Sequence, residues 1–232
     1  MSKALEALWP LQARAAIFDF DGTLADTAGI WHKVDIAFLS QRNLEYTEEY
    51  PRRLSALGFV DGARYTIDKY GLSESVEEIC DEWNRMGREL YRDSVALRQG
   101  AVRYITALRD CGIPCALATT NDPEVLGSMR HADVNELFDA CVYGVEVGKG
   151  KDHPDIYVEA ANRLGVDCEE CLVFEDIVPA VLSARRVGMT TCGVRANDPS
   201  QDVDKMRSVA DMWLEDWQDV PLGDTPHRVH RE

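Results

Sequence analysis

The chain has 232 residues, 45% of them hydrophobic, enough for a sizeable core in one domain with an insertion or in two modest domains. Its net charge is −16 and its isoelectric point is near 4.7, so it lacks the basic surface that displaces counterions from nucleic acid. No apolar run approaches the roughly 18 residues of a membrane span, so neither nucleic acid nor membrane is the expected partner.

Glu6, Pro10 and Gln12 interrupt any signal-peptide core near the N-terminus, and the chain reads as cytoplasmic. Ala15 to Phe20 is an apolar run with the bulk of a strand buried on both faces. It ends in Asp19-Phe20-Asp21-Gly22-Thr23. From Asp26 the period changes. Ile30, Trp31, Val34, Ala37 and Phe38 recur at three and four residues, which predicts a helix ending near Asn43. Further helices are expected over 47–57, over 60–70 and, behind a Ser75/Glu78 capping box, from Val76 to about Arg92. Residues 26–94 therefore read as four helices without a strand.

From there strands and helices alternate. Helices are expected over 100–110, 123–131, 154–164 and 178–187. Strands are expected over 113–119, 140–143, 171–174 and 189–194, with a last one over 211–214. This alternation predicts a doubly wound α/β core with a parallel sheet, built from residues 1–25 and 95–232. Residues 26–94 are an insertion after the first strand. They must sit over the carboxyl end of the sheet, as a lid. Pro221 to Glu232 is polar and reads as a loose tail, with His227 and His230 in it. Seven cysteines, an odd number, read as reduced. Cys168 and Cys171 have C-x₂-C spacing but no second pair to complete a zinc site.

Three strand ends and one loop carry the chemistry. Asp19 and Asp21 fall at the end of the first strand, where like charges raise one pKa or a cation sits between them. One ionised Asp can attack phosphorus while the other protonates a leaving oxygen. By chance Asp-x-Asp-Gly-Thr arises roughly 10⁻⁵ times per position. Thr119-Thr120-Asn121 closes another strand, where a hydroxyl and backbone N–H groups can bind phosphoryl oxygens. Gly148 to Asp155 offers Lys149 and Lys151 before a helix. Leu172-Val173-Phe174 ends in Glu175-Asp176, a third source of oxygen ligands.

These motifs resemble, in order and spacing, those of the haloacid dehalogenase superfamily, over nearly the whole chain. The form with a helical cap after the first motif is the closest in layout. The resemblance implies a Mg²⁺-dependent phosphatase acting on a small phosphorylated metabolite through an aspartyl phosphate. It implies Asp19 as nucleophile and Asp21 as acid and base. Thr119 and Lys151 hold the phosphoryl group, with Lys149 the weaker match. Mg²⁺ falls to Asp19, the Asp21 backbone carbonyl and Asp176, with Glu175 bound directly or through water. Pro179-Ala180 departs from the longer form of the fourth motif, so its second acid is not assured.

Thr120 and Asn121 are further substrate-binding candidates. Among the inserted helices' cations Arg52, Arg53, Arg64 and Lys69, the substrate-binding candidates are Arg53 and Arg64. Trp31, Tyr65 and Trp83 read as core by their helical spacing. A relative of the β-phosphoglucomutase type is the alternative. Those enzymes carry a His where Trp31 stands, and His32, one residue on, is turned by about 100°. A Schiff-base mechanism on Lys33 or Lys69 has no support in their surroundings. A catalytically silent binding protein is disfavoured because it has no reason to keep paired, repelling carboxylates. A monomer or weak dimer is expected.

Overall fold

The structure is a computed structural model that describes residues 7–9, 12–130 and 133–222. The expected tail from residue 223, with His227 and His230, lies outside these residues, as does His131. Six strands form one parallel sheet: β1 (Ala15–Phe18), β2 (Cys115–Thr119), β3 (Ala140–Tyr143), β4 (Cys171–Glu175), β5 (Thr190–Val194) and β6 (Met212–Leu214). Their order is β3-β2-β1-β4-β5-β6. The chain runs outward from β1 to β3, then returns to the other side of β1 and runs outward again. The reversal leaves a crevice at the carboxyl ends of β1 and β4, where open α/β sheets bind ligands.

Side-chain alternation along β1 decides what packs on each face. Ala16 and Phe18 join a cluster with Leu117, Phe174, Tyr104 and Trp217. Phe18 stacks on Phe174 with centroids 4.8 Å apart. Ala15 and Ile17 join the opposite cluster, with Val142, Ile156, Ala160 and Ala184. The first face is covered by α4 (Ala101–Asp110), the second by α8 (Asp155–Leu164) and α9 (Val178–Arg186). Both faces of β1 are dry, which is why it reads as an unbroken apolar run.

Between β1 and α4 lie three helical elements: α1 (Ala28–Gln41), α2 (Glu49–Tyr70) and α3 (Val76–Ser94). The two helices expected over 47–57 and 60–70 are the two halves of α2, which meet at a kink at Gly58, whose φ of 75° breaks the helical path. Ser75 and Glu78 form the expected capping box, with bonds of 3.2 and 2.7 Å. Val34, Phe38, Tyr50, Ile79, Trp83 and Met86 make a separate apolar cluster for this insert.

The short helices α5 (Pro123–Gly127), α6 (Val134–Leu137), α7 (Gly144–Val147) and α10 (Val203–Val209) complete the core's set. Only α5 falls on an expected helix. The others are too brief to show a 3.6-residue period. β4 runs one residue further than expected and takes in Glu175. All seven cysteines are free. Among the described residues no helix is long and apolar enough to cross a membrane.

Candidate active site

The carboxyl ends of β1 and β4 are tied by the Asp19 N–H, which donates to the Phe174 carbonyl at 3.0 Å. The chain then turns through Gly22, whose φ is 81°. A Cβ at Gly22 would lie 2.0 Å from Asp176 Oδ2. The glycine thus serves two needs, a left-handed backbone and room for the Asp176 carboxylate against the β1 loop.

Lys151 is the pivot of the charged groups. Its residue is 2% exposed, and Asp19 and Glu175 are 4% and 0% exposed. Its ammonium donates to Asp19 Oδ1 and to Glu175 Oε1. Glu175 Oε1 also accepts from the Tyr157 hydroxyl at 2.7 Å, and Glu175 Oε2 from the Asp176 N–H at 3.2 Å. Behind the lysine, Ser183 Oγ donates to the Lys151 carbonyl at 2.6 Å. Burial works against the charge on Lys151. The charges of Asp19 and Glu175 outweigh it and hold the ammonium more firmly than usual. Burial, and then the charge of Asp19, pushes the Glu175 and Asp176 carboxyls up.

Asp19, Glu175 and Asp176 bring one carboxylate oxygen each to within 4.8 Å of one another. Three acids face one lysine, and Asp19 Oδ2 is buried with no hydrogen-bond partner. An orphaned anionic oxygen in a convergent, oxygen-only set fits a hard divalent cation such as Mg²⁺.

Asp21 stands apart from that set. Its Oδ1 accepts from Trp31 Nε1 at 3.2 Å and from the Tyr91 hydroxyl, and its Oδ2 from Asn121 Nδ2 at 3.0 Å. Trp31 Nε1 and Asn121 Nδ2 also reach the Tyr91 oxygen, at 2.8 and 3.0 Å. One carboxylate is thus held by α1, by α3 and by the loop after β2. Burial and the Asp19 charge raise its pKa, opposed by the hydrogen bonds it accepts. Its carboxylate lies outside the cation cluster, which leaves the expected metal contact to its backbone carbonyl.

The other candidates separate as follows. Thr119 is buried, and its Oγ1 accepts from the Asn121 N–H at 3.1 Å, closing the turn after β2. It does not line the cavity over the acids, whereas Thr120 and Asn121 do. The Asn121 amide, expected to meet substrate, is spent on Asp21 and Tyr91, and its Oδ1 accepts from the Asp122 N–H at 2.8 Å. Lys149 pairs with Asp155 at the surface, 2.8 Å apart. Arg53 and Arg64 do not line the cavity, and Arg64 pairs with Asp61. Arg52 lines it instead. Arg52 and Arg53 both precede the kink at Gly58, and the one-residue step between them turns a side chain by about 100°.

That cavity has a volume of about 850 Å³ and is walled by core and insert together. Trp31 and Trp83 border it while also packing in the insert's apolar cluster, and Tyr65 packs against that cluster without lining the cavity. His32 lines it as well, but its Nδ1 lies 2.8 Å from the Tyr46 hydroxyl, away from Asp21. Sequence reasoning missed Tyr91, Tyr157 and Gln201. The last of these donates through Nε2 to the Asp176 and Val194 carbonyls, each at 2.8 Å. Nothing local marks them, since each acts across a long sequence separation.

The model of the haloacid dehalogenase-like hydrolase family matches residues 16–194. The chain belongs to that family and is a phosphatase-type hydrolase. It is 31% identical over 180 residues to a phosphorylated carbohydrates phosphatase of Thermotoga maritima, covering 75% of this chain and 82% of that one. It is 30% identical over 225 residues to (DL)-glycerol-3-phosphatase 2 of Arabidopsis thaliana, covering 90% and 92%. With the bifunctional riboflavin kinase/FMN phosphatase of the same plant it shares 29% over 231 residues, 97% of this chain but 60% of the relative's length. Among solved structures, a hydrolase from Pseudomonas syringae superposes with a TM-score of 0.77 at 23% identity, covering 90% and 95%, a likeness of fold.

Proposed function

We propose that the chain hydrolyses a small phosphate monoester, a sugar or polyol phosphate, with Mg²⁺, through a phosphoryl group carried on Asp19. The observation that carries this reading is the separation of two carboxylates one residue apart. Asp19 sits buried on Lys151 with one oxygen unpartnered. Asp21 is drawn aside by Trp31, Tyr91 and Asn121. The relatives named for glycerol 3-phosphate and phosphorylated carbohydrates support the substrate class.

Asp19 attacks phosphorus, and the bond from phosphorus to the ester oxygen breaks. Asp21, whose pKa burial and the Asp19 charge raise, gives a proton to the departing oxygen. Asp21, now ionised, takes a proton from water. The resulting hydroxide attacks phosphorus and frees Asp19 and inorganic phosphate. Lys151 orients Asp19 and offsets the charge gathered around it, and Glu175, anchored by Tyr157, orients Lys151. Asp19, Asp176 and the Asp21 carbonyl, with Glu175 directly or through water, would hold Mg²⁺, which supplies charge neutralisation at the phosphoryl oxygens. Residues 26–94 act as a cap that closes the cavity over this chemistry and excludes water.

The test is phosphate release from a panel of sugar, polyol and nucleotide monophosphates, with Mg²⁺ and with EDTA, by the wild type and by Asp19→Asn. Mg²⁺-dependent release that Asp19→Asn abolishes on every substrate is expected. Release that survives in Asp19→Asn overturns the scheme.

A further inference from the structure

The insert side of the cavity holds polar groups that the chemistry at Asp19 does not use. Asp35 lies on α1, one turn beyond His32, is 7% exposed and lines the cavity. Its carboxylate accepts no hydrogen bond and forms no ion pair among the described residues. With nothing to offset it, burial pushes the group up to about 7. Trp83, on α3, lines the same cavity and is 5% exposed. Its Nε1–H is buried without a partner. Phe38, one turn on from Asp35, packs edge-on against Trp83 with centroids 5.5 Å apart, so both groups belong to the α1–α3 seam.

These two groups are of opposite sense, one an acceptor and one a donor. The Trp83 N–H is sealed and costs folding free energy while it lacks a partner, whereas the Asp35 carboxylate stands on the cavity wall. A ligand that both donates and accepts would satisfy the pair. A hydroxyl does so, whereas an ammonium would meet Asp35 and leave the Trp83 N–H unmet. The charge nearby disfavours a second phosphate. Asp35, Asp198 and Glu48 lie close enough to Tyr46 that, after burial, they push its phenol up. Glu48, Asp198 and Asp202 line the cavity alongside Arg52. A dianion at that end would face more acids than bases.

We propose that the insert side of the cavity is a hydroxyl-recognition subsite in which Asp35 accepts from, and Trp83 Nε1 donates to, hydroxyls of the departing alcohol. The enzyme is then selective for polyol monophosphates over bisphosphates. This rests on the phosphatase reading above. It adds to that reading the residues that choose the substrate.

The experiment compares hexitol 6-phosphate, fructose 1,6-bisphosphate and p-nitrophenyl phosphate as substrates of the wild type, Asp35→Ala and Trp83→Phe. The wild type is expected to prefer hexitol 6-phosphate to the bisphosphate. In each variant the ratio of kcat/KM for hexitol 6-phosphate to that for p-nitrophenyl phosphate falls about tenfold, mainly through KM. Asp35→Ala is also expected to melt above the wild type, because it removes an unpaired buried carboxylate. A structural role would lower the melting temperature and reduce both substrates together. A ratio that stays within about twofold overturns the subsite, since that is below the value of one hydrogen bond. So does a wild-type preference for the bisphosphate, or turnover of p-nitrophenyl phosphate with none of hexitol 6-phosphate. Failure on all three substrates with Mg²⁺ present instead overturns the phosphatase reading, and the subsite with it.

Discussion

Replacing Lys151 by Met withdraws the cation from between Asp19 and Glu175. The side chains of the three residues are 3%, 6% and 0% exposed, so water does little to screen the acids left behind. Breaking a buried pair by removing one partner costs about 3–5 kcal/mol. For a chain of this size each kcal/mol moves Tm by about 2–4 °C, so a fall of about 6–20 °C in EDTA follows. Three acids without a lysine attract a divalent cation more strongly than three acids with one. Mg²⁺ at a hundred times its Kd stabilises by about 2.7 kcal/mol, and at a fixed concentration the gain is larger for whichever protein binds tighter. Thermal melts of the wild type and Lys151→Met, each in EDTA and in Mg²⁺, therefore show the larger Mg²⁺-induced rise in the variant. The double variant Lys151→Met with Glu175→Gln, which removes one charge of each sign, recovers part of the loss in EDTA. A Lys151→Met protein that melts with the wild type in EDTA, or gains less from Mg²⁺ than the wild type does, refutes this electrostatic reasoning.

Three further results follow from the same geometry. Asp35 is raised from its ordinary 3.8 to about 7 by burial, so the unfolded chain ionises first as pH rises. Stability should therefore fall between about pH 4 and pH 7 and level off above, by at most about 4 kcal/mol at 1.36 kcal/mol per pKa unit. Urea midpoints of Asp35→Ala should escape that fall, and a gap from the wild type that is constant across pH contradicts it. Trp31→Phe removes an N–H shared by Asp21 Oδ1 and the Tyr91 oxygen. Its kcat should drop about tenfold on alkyl phosphates and less on p-nitrophenyl phosphate, whose leaving oxygen needs little protonation. Equal losses on both would remove Trp31 from the positioning of the acid. Gly22→Ala sets a Cβ against the Asp176 carboxylate at a left-handed φ and should abolish the Mg²⁺-induced rise in Tm, which a melt with and without the ion checks.

The catalytic strand was legible because both its faces are covered, so Ala15 to Phe18 is apolar without alternation and its acids stand out at the end. Of the two lysines before α8, Lys151 was legible only through the family resemblance, since the residues alone left Lys149 open. What the sequence did not disclose acts across the fold. Tyr91 meets Asp21 across 70 residues, and Tyr157 reaches Glu175 from α8, the helix before β4. The choice between Arg52 and Arg53 failed because they are adjacent on a stretch with no clear apolar stripe, so helical period does not say which of them faces inward. Asp35 did leave a signal. It is an acid inside the stripe of Val34, Phe38 and Leu39, where exposure is 1% or less for each neighbour. Trp31 and Trp83 do pack in the insert core as their helical spacing suggests, but spacing reports only which face is apolar, not that the same face also borders a cavity.

The central claim is that the phosphoryl group passes through Asp19. Acid quenching during turnover of p-nitrophenyl phosphate with Mg²⁺, followed by peptide mass spectrometry, reads this directly. The peptide spanning Ala15 to Thr23 should carry one phosphoryl group on Asp19, and should lose it in Asp19→Asn. Steady turnover with that peptide unmodified at every quench time, or with the group on another residue, would contradict the account.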